Sequence, residues 1–385
     1  MLVHDKDQVA ETTPRPTTSA DNLPGNIVYS PAPRSSTPQQ GWFSPYGVAF
    51  IAIILMVALL SYGIGASMVS ASHDIANSGS SGNSSAMNNM DHGQSTAGVP
   101  NATEKYGGQP ATYTLDPDGA KHFTFMARQV MWEVTGGQRV LAWTINETVP
   151  GPTIRVTAGD RIHITFMNHF PKATAVHWHG LQVPSSQDGV PGIGQEPIQP
   201  GHTFEYNFTV HDQDVGTHWY HSHYDDMEQE PNGFFGAFLV DPRPATPEAA
   251  SAIHGDVEYT EFIGMMGSFY TINGKSFPDT QPILVKHGQT VHVRLIGVDA
   301  IQMHPIHLHG HTFKVMAEDG HLLNQPVEKD TVQVAPGETY DIVFNAWAAP
   351  GSIYPLHCHI LSHLMNPGQS GEEMGGMIAL IQYAK

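Results

Sequence analysis

Four histidine pairs, each with one residue between its members, are the groups in this sequence best suited to chemistry. The pairs are His177/His179, His221/His223, His307/His309 and His357/His359. Residues i and i+2 of a β-strand point to the same face, so each pair can present two imidazoles to one metal cluster. Eight histidines exceed the needs of a four-coordinate zinc ion, and no Asp or Glu joins them in a hydrolase-like pattern. The pairs therefore favour a multi-metal redox cluster.

Cys358 lies between the histidines of the last pair and is the sole cysteine, so no disulfide within the chain is possible. Its side chain is expected on the opposite face of the strand from those of His357 and His359. His304 and His363 can join it to give the two imidazoles and one thiolate of a blue-copper site. A short covalent path would then connect the sulfur to the flanking histidines. The alternative for Cys358 taken alone is a buried, inert thiol.

The sequence contains an internal repeat. VTAGDRIHITF (156–166) matches VKHGQTVHVRL (285–295), and IQPGHTFEYNF (198–208) matches VAPGETYDIVF (334–344). Two copies of one domain are therefore predicted.

The first copy lacks the blue-copper residues. The positions equivalent to His304, Cys358 and His363 hold other residues, namely Thr174, Ser222 and Met227. The first domain can therefore supply cluster ligands only, and one electron entrance per chain is expected in the second domain.

Short runs of Val, Ile, Phe and Tyr, broken by Pro-Gly, Asp-Gly and Gly-Gly, surround these motifs. Such spacing is typical of an antiparallel β-sandwich, so we predict an all-β protein with domains at 108–243 and 254–385. A disordered tail is predicted at 1–46 and a flexible linker at 70–107, because neither shows apolar periodicity. Met87, Met90 and His92 in that linker are interpreted as parts of a solvated spacer rather than as copper ligands.

Between tail and linker, at 47–69, a membrane anchor or signal segment is predicted. The run from Val48 to Met68 is apolar and uncharged, and it is long enough to cross a bilayer. Basic residues precede the run and none follows until Lys105, which favours an extracytoplasmic position for the domains, in the periplasm or at the cell surface. If the segment is instead cleaved at the small residues that follow it, the protein would be secreted. Acidic residues outnumber basic ones 36 to 17, which argues against a nucleic-acid partner.

The motifs HWHG (177–180), HSH (221–223), HPIHLHGH (304–311) and HCHILSH (357–363) resemble, in the same order, the four copper motifs of the multicopper oxidases. The resemblance extends from the first domain to the C-terminus. With two domains and a blue site only in the second, the chain is most similar to the two-domain, laccase-like members. The resemblance implies two tandem cupredoxin domains, which are Greek-key β-sandwiches.

The resemblance also implies four copper ions per chain and a role for each motif residue. His304, Cys358 and His363 would bind the type 1 copper, with Met374 chosen as the axial ligand over Met365 and Met377. His177 and His307 would bind the type 2 copper. The type 3 ligands would be His179, His221, His223, His309, His357 and His359.

Two further residues near these motifs are interpreted through the resemblance. Asp188 would lie near the trinuclear cluster and assist proton delivery, whereas without the resemblance Asp188-Gly189 is a plain turn. His218 is treated as lying beside the ligands or as incidental, and not as a ligand.

The implied activity is the oxidation of an outside donor coupled to the reduction of dioxygen to water. Phenols and aromatic amines are the expected donors, and metal ions such as Mn(II), Fe(II) or Cu(I) are the alternative. The resemblance implies a homotrimer with each cluster between neighbouring chains. Two other functions are weighed, a copper nitrite reductase and a non-enzymatic electron carrier. Ser222 argues against the nitrite reductase, and the eight cluster histidines argue against both alternatives.

Overall fold

The computed structural model describes residues 96–385. The predicted tail, the predicted membrane segment and most of the predicted linker lie outside the described residues. Within 96–385, no helix is both long enough and apolar enough to cross a membrane.

The first repeat folds as a sandwich of two sheets. Its nine strands are β1 (Thr114–Leu115), β2 (Lys121–Thr135), β3 (Gln138–Ile145), β4 (Ile154–Thr157), β5 (Arg161–Asn168), β6 (Val176–His179), β7 (Thr203–Thr209), β8 (Gly216–Ser222) and β9 (Phe235–Asp241). One sheet has the order β1-β2-β5-β7 with β3 beside β2, and the other has the order β4-β9-β8-β6. Alternate residues of β5 are buried, as expected for a strand with one face on the core.

The second repeat also folds as a two-sheet sandwich. Its eleven strands are β10 (Val257–Met266), β11 (Phe269–Ile272), β12 (Ile283–Val285), β13 (Thr290–Gly297), β14 (His304–Leu308), β15 (Phe313–Glu318), β16 (His321–Lys329), β17 (Thr331–Val334), β18 (Thr339–Asn345), β19 (Ile353–Cys358) and β20 (Ile378–Tyr383). The sheet orders are β11-β10-β13-β18-β15-β16 and β12-β20-β19-β14-β17.

Helical structure is limited to short segments in the described part of the chain. The α-helices are α1 (Asp226–Gln229) and α2 (Pro247–Ser251), and the 3₁₀ turns are Ser185–Gln187, Asp212–Asp214 and Leu361–Leu364. The last turn carries His363, and α2 lies in the connection between the two sandwiches. The mostly-β cupredoxin-like architecture expected from the sequence is confirmed.

The two repeats superpose in their strand pairing as well as in their sequence. β2 pairs in parallel with β5, as β10 does with β13. β6 pairs with β8 so that His177 lies opposite His221, and β14 pairs with β19 so that His307 lies opposite His357. The repeat therefore places two histidine-bearing strands side by side in each sandwich.

The sandwiches pack against each other through a shared apolar cluster that includes Trp132 and Phe235 from the first repeat and Phe262 from the second. The indole N–H of Trp132 donates to the carbonyl of Gly274 at 2.8 Å. The segment before β1 also joins the fold, because the N–H of Met131 donates to the carbonyl of Pro100. Ordered structure thus begins before the predicted boundary at residue 108.

Candidate metal centres

Cys358 and His357 lie on opposite faces of the sheet, in the pair of interior strands β14 and β19. Cys358 is completely buried and pairs with Ile306 in the register of the two strands. The neighbouring register pair, His307 and His357, lies on the other face, because side chains alternate along a strand. One strand thus serves two sites.

Two nitrogen atoms and one sulfur atom lie close together inside the second sandwich. Nδ1 of His304 lies 3.2 Å from Nδ1 of His363. Sγ of Cys358 lies 3.8 Å from the first nitrogen and 3.4 Å from the second. All three side chains are buried. We refer to this group as the thiolate site.

The hydrogen bonds behind the thiolate site show that it suits a metal. Nε2 of His304 donates to a carboxylate oxygen of Asp299 at 3.0 Å, and Nε2 of His363 donates to the amide oxygen of Gln302 at 3.1 Å. Since both acceptors are oxygens, each neutral ring carries its proton at Nε2 and turns the lone pair of Nδ1 towards Cys358. Buried lone pairs that face one another are stabilised by a cation, and a second hydrogen bond to each ring is usual for metal-bound histidine.

Burial sets the protonation of the metal-free thiolate site. It raises the pKa of the Cys358 thiol to about 11, although the hydrogen bond from the N–H of Ile360 acts to lower this pKa. Burial, followed by the proximity of His304, lowers the pKa of His363 to about 4. Burial would raise the pKa of Asp299, but hydrogen bonds from His304 and two backbone N–H groups bring it below its usual value. A neutral His363 and an ionised Asp299 are the states that metal binding requires.

The first sandwich holds one half of a histidine cluster. The ring pairs in contact have centroids 5.3 to 6.2 Å apart, and the rings belong to His177, His179, His221 and His223. Possible ligand atoms of the first three lie within 4.8 Å of one another. We refer to these four residues as the first half-cluster.

Hydrogen bonds at Nδ1 orient the first half-cluster. Nδ1 of His177 donates to the carbonyl of Asp188 at 2.8 Å. Nδ1 of His221 lies 2.8 Å from both the carbonyl of Ser222 and Oε2 of Glu230. Both rings therefore have an unprotonated Nε2 that can bind a metal, and that of His221 lies 3.3 Å from Nδ1 of His179. Burial, followed by the proximity of His221, lowers the pKa of His179 to about 3 and keeps it neutral.

The second sandwich holds a matching group, which we call the second half-cluster. Its ring pairs in contact have centroids 4.9 to 5.8 Å apart, and its members are His307, His309, His357 and His359. Nδ1 of His307 donates to the carbonyl of Asp330, and Nδ1 of His357 donates to that of Cys358, each at 2.8 Å. Because His357 carries its proton at Nδ1, its Nε2 is an acceptor, and it lies 2.8 Å from Nε2 of His309.

The two half-clusters do not meet within one chain. Among residues 96–385, no group of three potential ligands within 4.8 Å combines histidines of both repeats. The part of the second repeat beside His179 is the turn at Gly337, where an added Cβ would lie 3.2 Å from Cε1 of the ring. His309 and His359 are exposed in the single chain. Each half-cluster is therefore an incomplete site.

Comparisons with known proteins agree with this geometry. Two sequence profiles described as multicopper oxidase match residues 126–245 and 241–367. The blue copper oxidase from Nitrosomonas europaea has a similar structure, with a TM-score of 0.62 and 32% identity over 68% of this chain and 85% of that chain. The chain belongs to the multicopper oxidase family. Membership implies copper as the metal.

Curated relatives extend the same comparison. Laccase-20 of Oryza sativa subsp. japonica is 31% identical over 63% of this chain and 45% of its own length. Copper resistance protein A of Escherichia coli is 29% identical over 54% of this chain and 44% of its own length. This multicopper oxidase thus spans about half the length of the curated relatives it matches.

Met374, the predicted axial ligand, and Met377 differ in their position relative to the thiolate site. Met374 is 59% exposed, whereas Met377 is fully buried in the same apolar cluster as Cys358. Its backbone bonds to both flanking ligands, because its carbonyl accepts from Cys358 and its N–H donates to His363. The choice of Met374 followed from its place near the start of the final strand. β20 begins at Ile378, so the residue directly before it is Met377.

The equivalent of the thiolate site in the first repeat is closed by other side chains. The hydroxyl of Thr174 donates to the amide oxygen of Gln229 at 2.7 Å, and both residues are fully buried. Ser222 is also fully buried, and Met227 is 65% exposed. The first sandwich of this multicopper oxidase therefore has no second thiolate site at these positions.

Asp188 lies beside the first half-cluster. Its Oδ1 is 3.3 Å from Nδ1 of His177. The backbone carbonyl of Asp188 accepts the hydrogen bond from the same Nδ1. Gly189 adopts φ +83°, and any Cβ there would collide with the carbonyl of Val176. Glycine is therefore required for this turn to bring Asp188 against β6. His218 points elsewhere, with Nε2 2.8 Å from the carbonyl of Asp214, and it packs against Gly320 of the second repeat.

Four orienting residues are absent from the sequence-based prediction. They are Asp299, Gln302, Glu230 and Tyr270, whose ring stacks on His363 with centroids 3.7 Å apart and planes at 17°. Asp299 and Gln302 precede a ligand by only a few residues, which is a weak signal. Glu230 and Tyr270 belong to no motif, and only the fold brings them to the histidines.

Proposed function

We propose that this chain is a laccase-like oxidase that couples one-electron oxidation of a donor to the reduction of dioxygen to water, using one type 1, one type 2 and two type 3 coppers per chain. The observation that carries the proposal is the double use of β19. Cys358 faces the thiolate site, while His357 in the next position faces the second half-cluster. Coppers bound at these sites supply the single-electron relay and the reduction of oxygen.

The residues of β19 provide the route between the two sites. Cys358 is joined to His357 and His359 through the backbone alone. Nδ1 of His357 also donates to the carbonyl of Cys358 at 2.8 Å, which adds a hydrogen-bonded shortcut to the same path. Hydrogen bonds to oxygen acceptors hold His304, His363 and His357 in one tautomer each, so little reorganisation of these rings accompanies electron transfer.

The thiolate site would be held by His304, Cys358 and His363, with Met377 as the axial thioether. A type 2 copper would bind His177 and His307. The type 3 pair would bind His179, His221, His223, His309, His357 and His359. Asp188 is placed to hold a proton next to His177, because its carboxylate lies 3.3 Å from that ring and is partly open to solvent.

Assembly of the cluster between chains follows from the separation of the half-clusters. A ring of three chains joined head to tail would bring the first half-cluster of one chain against the second half-cluster of the next. The exposure of His309 and His359 in the single chain supports this arrangement, because ligands are buried once the site is complete.

Mixed assemblies test this arrangement. One variant carries His221→Ala and His223→Ala, and a second carries His307→Ala and His309→Ala. Each should be inactive alone, but co-expression should restore activity, since about one quarter of the interfaces in random trimers combine two intact halves. Failure of the mixture to regain oxygen uptake, with trimers present by light scattering, would contradict a cluster between chains.

The donor is proposed to reach the protein at the edge of His363. Tyr270 covers one face of this ring and Gln302 its Nε2 edge, while the nearby Ile301 and Leu361 are 74% and 71% exposed. An apolar rim beside a ring edge suits phenols and aromatic amines. Mn(II), Fe(II) and Cu(I) are the alternative donors, because the chain is acidic and Met303 is also exposed nearby.

An oxygen-electrode panel tests both the activity and the donor class. Copper-loaded protein is supplied with phenols, aromatic amines, the three metal ions and nitrite. Oxygen uptake with an aromatic donor is expected. Full copper occupancy without uptake for any donor would rule out the oxidase and favour an electron carrier, and nitrite turnover would favour a nitrite reductase.

Attachment to a membrane through residues 47–69, with the catalytic domains extracytoplasmic, is proposed from the sequence. The support is the uncharged run from Val48 to Met68. Cell fractionation should place the full chain with membranes and a variant that lacks this run in the soluble fraction. Recovery of the full chain in soluble form would contradict the anchor, and a shortened N-terminus in the medium would indicate cleavage.

A further inference from the structure

Two histidines outside the copper motifs stack on the outward face of the first sheet. His122 of β2 lies directly opposite His163 of β5 in the register, and their rings lie 4.0 Å apart at 17°. Their neighbours Phe123 and Ile164 point into the core, so the two imidazoles point away from it. The first half-cluster belongs to the other sheet of this sandwich, which makes the stacked pair a separate feature.

The carboxylate of Asp116 faces the Nδ1 edge of both rings. Oδ1 of Asp116 lies 3.2 Å from Nδ1 of His122, and Oδ2 lies 2.6 Å from Nδ1 of His163. These three side chains offer ligand atoms that all lie within 4.8 Å of one another. All three are partly buried, at 22 to 26% exposure of the side chain.

Hydrogen bonds on the opposite edge, at Nε2, fix the position of the proton on each ring. Nε2 of His163 lies 2.8 Å from Oε2 of Glu205, a carboxylate that only accepts. The hydroxyl of Thr165 donates to the same oxygen at 2.7 Å, so its own oxygen accepts from Nε2 of His122 at 2.8 Å. Both rings therefore carry a proton at Nε2.

With both protons at Nε2, neither ring has a proton at Nδ1, the atom that faces the carboxylate of Asp116. In the neutral rings both Nδ1 lone pairs would point at the oxygens of Asp116, which are acceptors too. Two more protons would remove this mismatch, but they would stack two imidazolium ions 4.0 Å apart, whose like charges repel each other. One divalent cation between Asp116 and the two nitrogens supplies the same charge without that repulsion.

We propose that Asp116, His122 and His163 bind a borderline divalent cation, Cu(II) or Zn(II), at a site distinct from the copper centres. Two imidazoles and a carboxylate are a donor set that suits both ions, with Cu(II) bound more tightly. Thr165 and Glu205 hold the rings from behind, as hydrogen-bonding partners of metal-bound histidine do. The cation would tie the turn after β1 to β2 and β5.

The test counts metal on the full chain after the copper centres have been filled. Protein supplied with only four copper ions per chain, the number proposed for the copper centres, is dialysed against excess Zn(II), and bound zinc is measured by mass spectrometry. The wild type should take up one zinc per chain, His163→Gln should bind at least about 100-fold more weakly, and Glu205→Gln about 10-fold more weakly. His202→Gln, which changes an exposed histidine just before β7, is the matched control and should bind as the wild type does.

Folding and the proton alternative are checked on the same samples. Retained blue absorption and circular dichroism show that a variant is folded. Absence of zinc from the wild type, or equal binding by the wild type and His163→Gln, would overturn the proposal. So would histidine NMR spectra that show both rings as imidazolium in the presence of excess Zn(II). None of these readouts depends on oxidase activity, so this site and the proposed function fail separately.

Discussion

The backbone N–H of Cys358 donates to the carbonyl oxygen of Met377 across 3.2 Å. This bond holds the last methionine of the chain beside the proposed copper-binding sulfur. Because a weak axial thioether tunes the potential of a blue-copper site, Met377→Leu should raise the reduction potential and shift the visible spectrum. Leucine fills a similar volume, so the stability cost should stay below about 1.5 kcal/mol.

Met374→Leu is the matched control for this prediction, because Met374 is 59% exposed. Redox titration followed by visible absorption compares the two variants with the wild type. An altered potential in Met374→Leu together with an unchanged one in Met377→Leu would restore the original assignment.

Cys358→Ser should abolish the blue absorption and donor turnover while both half-clusters keep their histidines. The hydroxyl is a poor ligand for type 1 copper, and Ser222 shows that serine is accommodated at the equivalent buried position of the first repeat. Copper counting and visible absorption give the result. Persistent blue colour would show that the thiolate site has been misassigned.

Asp299→Ala should weaken copper binding at the thiolate site by about 10- to 100-fold, because His304 loses the acceptor that fixes its tautomer. Asp299→Asn keeps an oxygen acceptor and should retain most of the affinity. Competition with a copper chelator, followed by the blue absorption, measures both variants. Equal losses in Ala and Asn would point to the negative charge, rather than the hydrogen bond, as the important property.

Asp188→Asn should slow oxygen turnover by about 100-fold or more, the usual scale for loss of a proton-transferring group, without changing donor oxidation at the thiolate site. Steady-state oxygen uptake and anaerobic bleaching of the blue band separate these steps. Asp330→Asn is the control in the second repeat, since Asp330 lies 3.9 Å from Nδ1 of His307. If bleaching slows in Asp188→Asn, the residue acts elsewhere.

Copper uptake at the thiolate site should release one proton from Cys358 at neutral pH. Burial raises the pKa of this thiol to about 11, so below that pH copper must displace its proton, and affinity should rise about tenfold per pH unit. His363, with its pKa lowered to about 4, is already neutral above about pH 5 and adds no competing proton. Anaerobic titration with Cu(I) in weak buffer measures the release, with Cys358→Ser as control. Affinity that falls with rising pH would contradict the assignment.

The raised pKa of Cys358 also makes the stability of the metal-free protein decrease at high pH. The neutral thiol is the favoured state in the folded chain, so its contribution is complete below the ordinary thiol pKa and is lost as the pH rises through about 11. Copper binding requires the thiolate, so the cost of deprotonating this buried thiol lowers the affinity for copper.

The sequence by itself determined the residue types and the face on which each lies. The period of two along a strand separates Cys358 from His357, and the repeat places Ser222 and Thr174 where the second domain has Cys358 and His304. These are local properties of strands. The choice between Met374 and Met377 depended on where β20 begins, and the final insertion hides that boundary.

Tertiary structure alone decided which distant groups complete each site. Tyr270 and Glu230 reach His363 and His221 through strand pairing and loop packing, which no spacing rule encodes. The stacked pair His122 and His163 depends on the parallel register of β2 and β5. The separation of the two half-clusters is likewise a matter of how the sandwiches pack, because contacts between residues far apart in sequence arise from burial of a shared apolar surface.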